Sequence, residues 1–261
     1  MNTFHSYLIW LHIAAGVVAI LTFWIPTFAR KGGTVHKGVG HWYARAMYVV
    51  TVTAFIAALI RTFAPLSLLP PELVGDVAET AKFVRRSYII GTFLFVLSLL
   101  VLANLRHGLL VLRARESRQL LRSRTHLTLL MALGLVGVIG LYIGIRLNFI
   151  LLQIFSPLAI LNSITMLRYS FKRELKRSEW VIEHLSNLLG TGTATHTAVL
   201  VLGAARLVNS VVPVSLSILP WIAPGIIGVI ATLFWARYYR QRFGHLNKAP
   251  VIAKTDAAVN A

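Results

Sequence analysis

Nine histidines and no cysteine define the chemistry open to this chain. Without thiols, disulfides, zinc–thiolate sites, iron–sulfur clusters and thiol nucleophiles are excluded. His12 and His196 fall inside long apolar runs, where an unpartnered imidazole is costly and a partner or ligand is expected. Each has a glycine one helical turn away on its own face, Gly16 after His12 and Gly192 before His196. Such a gap leaves room for a flat ring beside an imidazole ligand, as a helix-held haem b requires; close packing of helices on small residues accounts for the spacing equally well. Arg106, Arg61 or Arg146 would then neutralise the haem propionates.

A second set of histidines lies at the ends of apolar runs. RKGGTVHKGVGHWYARAM, from Arg30 to Met47, places His36 and His41 in a basic, glycine-bearing elbow. Five residues apart, they stand about 140° around a helix and cannot share a metal from one helix. Gly32–Gly33 would supply the turn and Thr34 would cap a helix starting there. His107, His126 and His184 belong to the same depth by span position. His36, His126 and His184 could therefore serve as three ligands of a transition metal with an open fourth position, with Glu183 as the nearby general base. An imidazole, with its apolar body and polar tip, also suits a membrane interface without any further role.

The acids are few. All eight (Glu72, Asp76, Glu79, Glu116, Glu174, Glu179, Glu183 and Asp256) fall in predicted connections or the tail. Proton pumps and cation-coupled transporters use carboxylates within the membrane, so that class loses weight, as does paired-carboxylate catalysis.

The elements that must position these residues follow from composition. The chain is 57% hydrophobic and 13% charged, with a mean hydropathy of +0.72, whereas soluble domains carry about 25% charged residues. A span needs about 20 apolar residues. Seven stretches qualify: Tyr7–Phe28, Tyr43–Leu66, Tyr88–Leu112, His126–Gly144, Phe149–Leu167, Leu188–Leu207 and Val214–Ala236. The fourth and fifth are joined through Arg146–Leu147–Asn148 and must form a hairpin. The first run lacks a basic leader and is too long for a signal peptide, so it reads as a retained span. The fold expected is an all-α, polytopic transmembrane bundle, one domain over 1–245 with a disordered cytoplasmic tail over 246–261.

A net charge of +18 would suggest nucleic acid on a soluble protein, but here the bases cluster between apolar runs. Anionic lipid headgroups at the cytoplasmic face are the expected partner, and nucleic acid is not. Most of the 26 Lys and Arg occupy the first, third and fifth connections and the C-terminal end, which places the N-terminus outside and the C-terminus inside. Trp and Tyr at the run ends suit an interfacial belt. Gly134, Gly137, Gly140 and Gly144 give the fourth run a face for close helix packing.

His12-x-x-x-Gly16 and Gly33-x-x-His36-x-x-x-Gly40-x-x-Tyr43 together resemble a bacterial family of multi-span membrane proteins known as a domain of unknown function. The likeness continues in His126 opening a middle span, in Glu183-His184 before the GTGTATHTAVLV run, and in Leu219-Pro220-Trp221 with Pro224. It implies an integral protein of the bacterial inner membrane, singles out His12, His36, His126 and His184, and supplies no activity. Three functions fit: a b-type haem redox module working with a membrane redox partner or quinone, a metal-dependent membrane enzyme, and a transporter or accessory subunit that binds lipid or an anionic solute.

Overall fold

The computed structural model describes residues 3–115, 119–173, 179–203, 216 and 218–246. These form an all-helical bundle: α1 (Thr3–Phe28), α2 (Thr34–Phe63), α3 (Val77–Ala114), α4 (Arg124–Arg146), α5 (Ile150–Phe171), α6 (Glu179–Ala198) and α7 (Leu219–Leu246). Among the described residues there is no strand, and six helices, all but α6, are long and apolar enough to cross a membrane. The expected sixth span, Leu188–Leu207, is offset. Its helix begins at Glu179, carries Glu183, His184 and Asn187, and runs through a π-helical turn at Val199–Gly203 to the edge of the described residues. The start of the expected seventh span and the tail from residue 247 lie outside them.

Consecutive helices lie antiparallel. Pro26 near the end of α1 meets His36 at the start of α2, while His12 meets Val50 and Thr53 further along. The hairpin of α4 and α5 turns through Asn148, whose φ of 50° reverses the chain. It closes on the glycine face expected from sequence. A Cβ at Gly137 would stand 3.1 Å from the Ser156 carbonyl oxygen, and one at Gly144 would stand 2.7 Å from Cβ of Leu152. Backbone cannot retreat as a side-chain tip can, so glycine is required there.

Two expectations about helix starts are corrected. The residue preceding α2 is Gly33, not Thr34, and no side chain caps that end. Asp76 and Glu79 are not mid-loop acids: the Asp76 carboxylate accepts from the Glu79 amide at 3.0 Å and caps α3, which starts well before Tyr88. The Gly32 turn is as expected, with φ of 78°.

The longest helix, α3, is the axis of the bundle, packing against α2, α4, α5 and α6. Val96, Ala103 and Leu105 on it are wholly buried. By contrast α7 leaves Ile227, Ile230, Leu233 and Phe234 exposed, as a lipid-facing helix would. Gly137→Leu should destabilise the protein by about 1–3 kcal/mol through overpacking, read as a lower thermal midpoint in detergent. Gly225→Leu, which meets nothing within 4 Å, should leave that midpoint unchanged.

Candidate functional site

Near the end of the bundle that carries the α3–α4 and α5–α6 connections, three side chains line up across three helices. His107 on α3 and His126 on α4 are wholly buried, with Nδ1 of His107 3.0 Å from Nε2 of His126. Their ring centres are 5.2 Å apart with planes within 18°, so the two rings lie end to end along the hydrogen bond. On the other side of His107, Oε1 of Glu183 on α6 lies 3.2 Å from Nε2. That approach is within ion-pair range but off the line of the N–H, so it is an electrostatic contact rather than a formed hydrogen bond. Tyr169 of α5 covers the His107 ring edge-on at 5.7 Å.

The tautomers follow from the partners. An ionised Glu183 accepts only, so Nε2 of His107 carries hydrogen and Nδ1 is the acceptor for the Nε2–H of His126. Nδ1 of His126 is then a bare lone pair, and it is buried without a partner. A proton added there can be relayed: His126 passes its Nε2 proton to His107, and His107 passes its own toward Glu183. The relay thus has one end inside the bundle and one at a carboxylate whose side chain is 26% exposed.

Glu183 also borders a cleft of about 180 Å³ between α5 and α6, helices that are not packed on one another. Asn104 of α3, Asn162 and Thr165 of α5, and Ser186 and Asn187 of α6 supply its other polar lining, with Met166 as the apolar member. The acids were expected to stay in connections; instead the early start of α6 carries Glu183 into the bundle. A close approach at Gly108 makes this fit. A Cβ there would overlap the Leu188 side chain and stand 3.0 Å from Cβ of Asn187.

The residues expected to hold haem do not share a site. His196 has both nitrogens engaged: Nδ1 donates to the Gly192 carbonyl at 2.8 Å, and the Trp24 indole donates to Nε2 at 3.1 Å. Indole is a donor only, so it takes the lone pair an iron would need. The space left by Gly192 is filled by the Phe23 ring, which meets His196 edge-on at 5.3 Å. The flat ring beside the imidazole is therefore supplied by the chain itself. His12 donates from Nδ1 to the Val50 carbonyl and the Thr53 hydroxyl, at 3.1 and 3.0 Å. It lies twelve residues from Trp24 on α1, about 18 Å along the helix. Arg106 bonds Thr125 at 3.1 Å, and Arg146 is exposed at the opposite end of α4 from His126.

Nor do His36, His126 and His184 converge. Among the described residues no group of three or more His, Cys, Asp or Glu is placed to hold a metal ion. His126 is committed to His107. His36 donates from Nδ1 to the Pro26 carbonyl at 2.9 Å, next to Lys31, whose ammonium donates to the same oxygen and to that of Thr27. These are carbonyls of the last turn of α1, which has no intrahelical donors for them. Burial lowers the Lys31 pKa. His184 donates from Nδ1 to the Gly108 carbonyl at 2.9 Å, tying α6 to α3. His41 is exposed. The basic elbow is thus in large part a helix cap.

The chain matches no family model, no curated protein and no solved structure.

Because a backbone carbonyl can only accept, His12, His36, His184 and His196 must all be Nδ1–H tautomers when neutral. Ring nitrogen shifts of histidine-labelled protein in lipid at pH 8 should show Nδ1 protonated and Nε2 unprotonated at these four.

Proposed function

We propose that this is an integral, multi-pass membrane protein with an acid–base site in the half of the bilayer nearest its basic end. Glu183, His107 and His126 move a proton between the cleft and the bundle interior, and the cleft holds the polar part of a lipid-soluble molecule that arrives sideways between α5 and α6. The observation that carries this reading is the pair of wholly buried imidazoles in contact, 3.0 Å apart, with a carboxylate at the outer member. Two buried imidazoles without a charge to share would be better replaced by apolar side chains. A chain of titratable groups joining a buried base to an accessible carboxylate suits general acid–base work. It does not depend on the haem ligation that His12 and His196 would need.

The reading extends to placement. Arg30, Lys37, Arg113, Arg122 and Lys172 sit at the same end of the bundle as the relay, and the positive-inside rule puts that end in the cytoplasm of a bacterial inner membrane. Anionic lipid headgroups would surround it. Seven apolar runs, the sixth of them ending outside the described residues, make the proposed topology seven-span with the N-terminus outside. Reporter fusions after Arg30, Arg122 and Arg242 should then signal cytoplasm, and fusions at Asp76 and Arg146 the far side. One interior site reporting the wrong side would overturn the topology.

Infrared difference spectra between pH 3 and pH 8, recorded on protein in lipid nanodiscs, test the relay. A carboxyl band should disappear in Glu183→Gln, and the imidazole bands should change in His126→Gln and stay unchanged in His41→Ala. A spectrum unaffected by Glu183→Gln would make the trio a structural ion pair and remove the acid–base function.

A further inference from the structure

The cleft beside Glu183 carries one charge, a carboxylate, and is otherwise lined by neutral polar groups with several oxygens to spare. Asn104 donates its amide nitrogen to the Leu100 carbonyl at 2.8 Å, and Asn162 does the same to Leu158 at 2.8 Å. Asn187 donates to the Glu183 carbonyl at 2.8 Å and to its Oε1 at 3.2 Å. A carbonyl cannot donate, so in each case the nitrogen must be the atom turned back onto the helix. Each side-chain oxygen is left over. The oxygen of Asn104 faces α6, standing 3.4 Å from where a Cβ on Gly190 would be. Thr165 likewise spends its hydroxyl hydrogen on the Asn162 carbonyl, at 3.0 Å. Glu183 adds a carboxylate, and no Lys or Arg lines the cleft.

In a chain with 26 basic residues and eight acids, a cleft whose one charge is negative selects its ligand by that sign. Three amide oxygens, a carboxylate and a hydroxyl oxygen ask for a ligand rich in N–H donors and positively charged. A phosphate head would meet the Glu183 carboxylate with no Lys or Arg in the lining to offset it, and a quinone, which only accepts, would leave that carboxylate unpaired. A bare metal ion is a poor match for a cleft of about 180 Å³ that is open along its side. The geometry points to the primary ammonium group of an amphipathic amine as the ligand, its apolar tail running out between α5 and α6 into lipid. This rests on the acid–base reading of the same site and names the substrate class: the ammonium would lie against Glu183, the end of the relay.

Binding to the full chain in nanodiscs, measured above the partition into empty nanodiscs, tests this. Dodecylammonium should bind saturably at one site per chain. Dodecyltrimethylammonium, with equal charge and no N–H, and dodecyl phosphate should bind at least about tenfold more weakly, because charge-assisted hydrogen bonds distinguish them. Asn162→Leu, at a half-buried position that tolerates change, should weaken dodecylammonium about fivefold to tenfold, and Asn162→Asp should strengthen it. Equal affinity for the two ammonium probes, indifference to both Asn162 substitutions, or displacement by calcium at concentrations that leave the trimethyl probe bound would each overturn the proposal. Binding needs no proton transfer, so it can hold where the infrared experiment fails, and the reverse.

Discussion

Gly108 is the point at which α6 lies against α3 with nothing between but hydrogen. A side chain there would push Leu188 and Asn187 away, and with them the first two turns of α6. Those turns carry Glu183 to His107, His184 to the Gly108 carbonyl, and Asn187 to the edge of the cleft. In water, helices are drawn together by burying apolar surface. In lipid that drive is absent, and close van der Waals approach with cross-helix hydrogen bonds takes its place. The seam between α3 and α6 uses both, as does the glycine face between α4 and α5, where Ser163 donates to the Leu130 carbonyl at 2.7 Å.

Given that seam, the relay and the cleft follow as its two sides. On one side the α3 histidine is held between a carboxylate and a second imidazole. On the other, the gap between α5 and α6 is floored by Asn104 of α3. Asn104 and Asn187 are nearly inaccessible, yet each turns its amide nitrogen back to donate to a carbonyl of its own helix. This solves the usual problem of a buried carboxamide and leaves its oxygen facing outward from the helix. A polar patch made in this way costs little in the absence of ligand, because oxygen acceptors tolerate incomplete pairing better than N–H donors do.

Much of the architecture was legible in the sequence. Apolar run length located the helices, the glycine spacing in α4 foretold its packing on α5, and Arg146–Leu147–Asn148 foretold the hairpin. The site was less legible, for physical reasons. Hydropathy marks where a helix is apolar, not where it begins, so α6 was read from Leu188 although its backbone is helical from Glu179; that offset hid Glu183. His107 and His126 were both noted, but their contact depends on how α3 and α4 pack, which periodicity does not encode. The asparagines carry no signal in the sequence, because their role lies in which way the amide faces. The gap that Gly192 leaves beside His196 suits a flat ring or close helix packing, and the sequence does not choose between them. What sequence could not say was that Phe23 fills it and Trp24 takes the imidazole lone pair.

The register of α3 against α6 underlies all of this, and the chain's lack of native cysteine makes it directly measurable. In the double variant Asn104→Cys/Gly190→Cys, a Cβ at residue 190 has no neighbour nearer than 3.4 Å and would stand 3.9 Å from the present Asn104 Cγ, close enough for a disulfide after slight relaxation and without forcing α6 off α3. Gly134→Cys/Ser163→Cys, at 3.4 Å across α4 and α5, is the positive control. Mild oxidation in native membranes should join both pairs within the same chain. Crosslinking of the control pair without the Asn104–Gly190 pair would mean that α6 does not lie on α3 in this register, and neither the relay nor the cleft would survive that result.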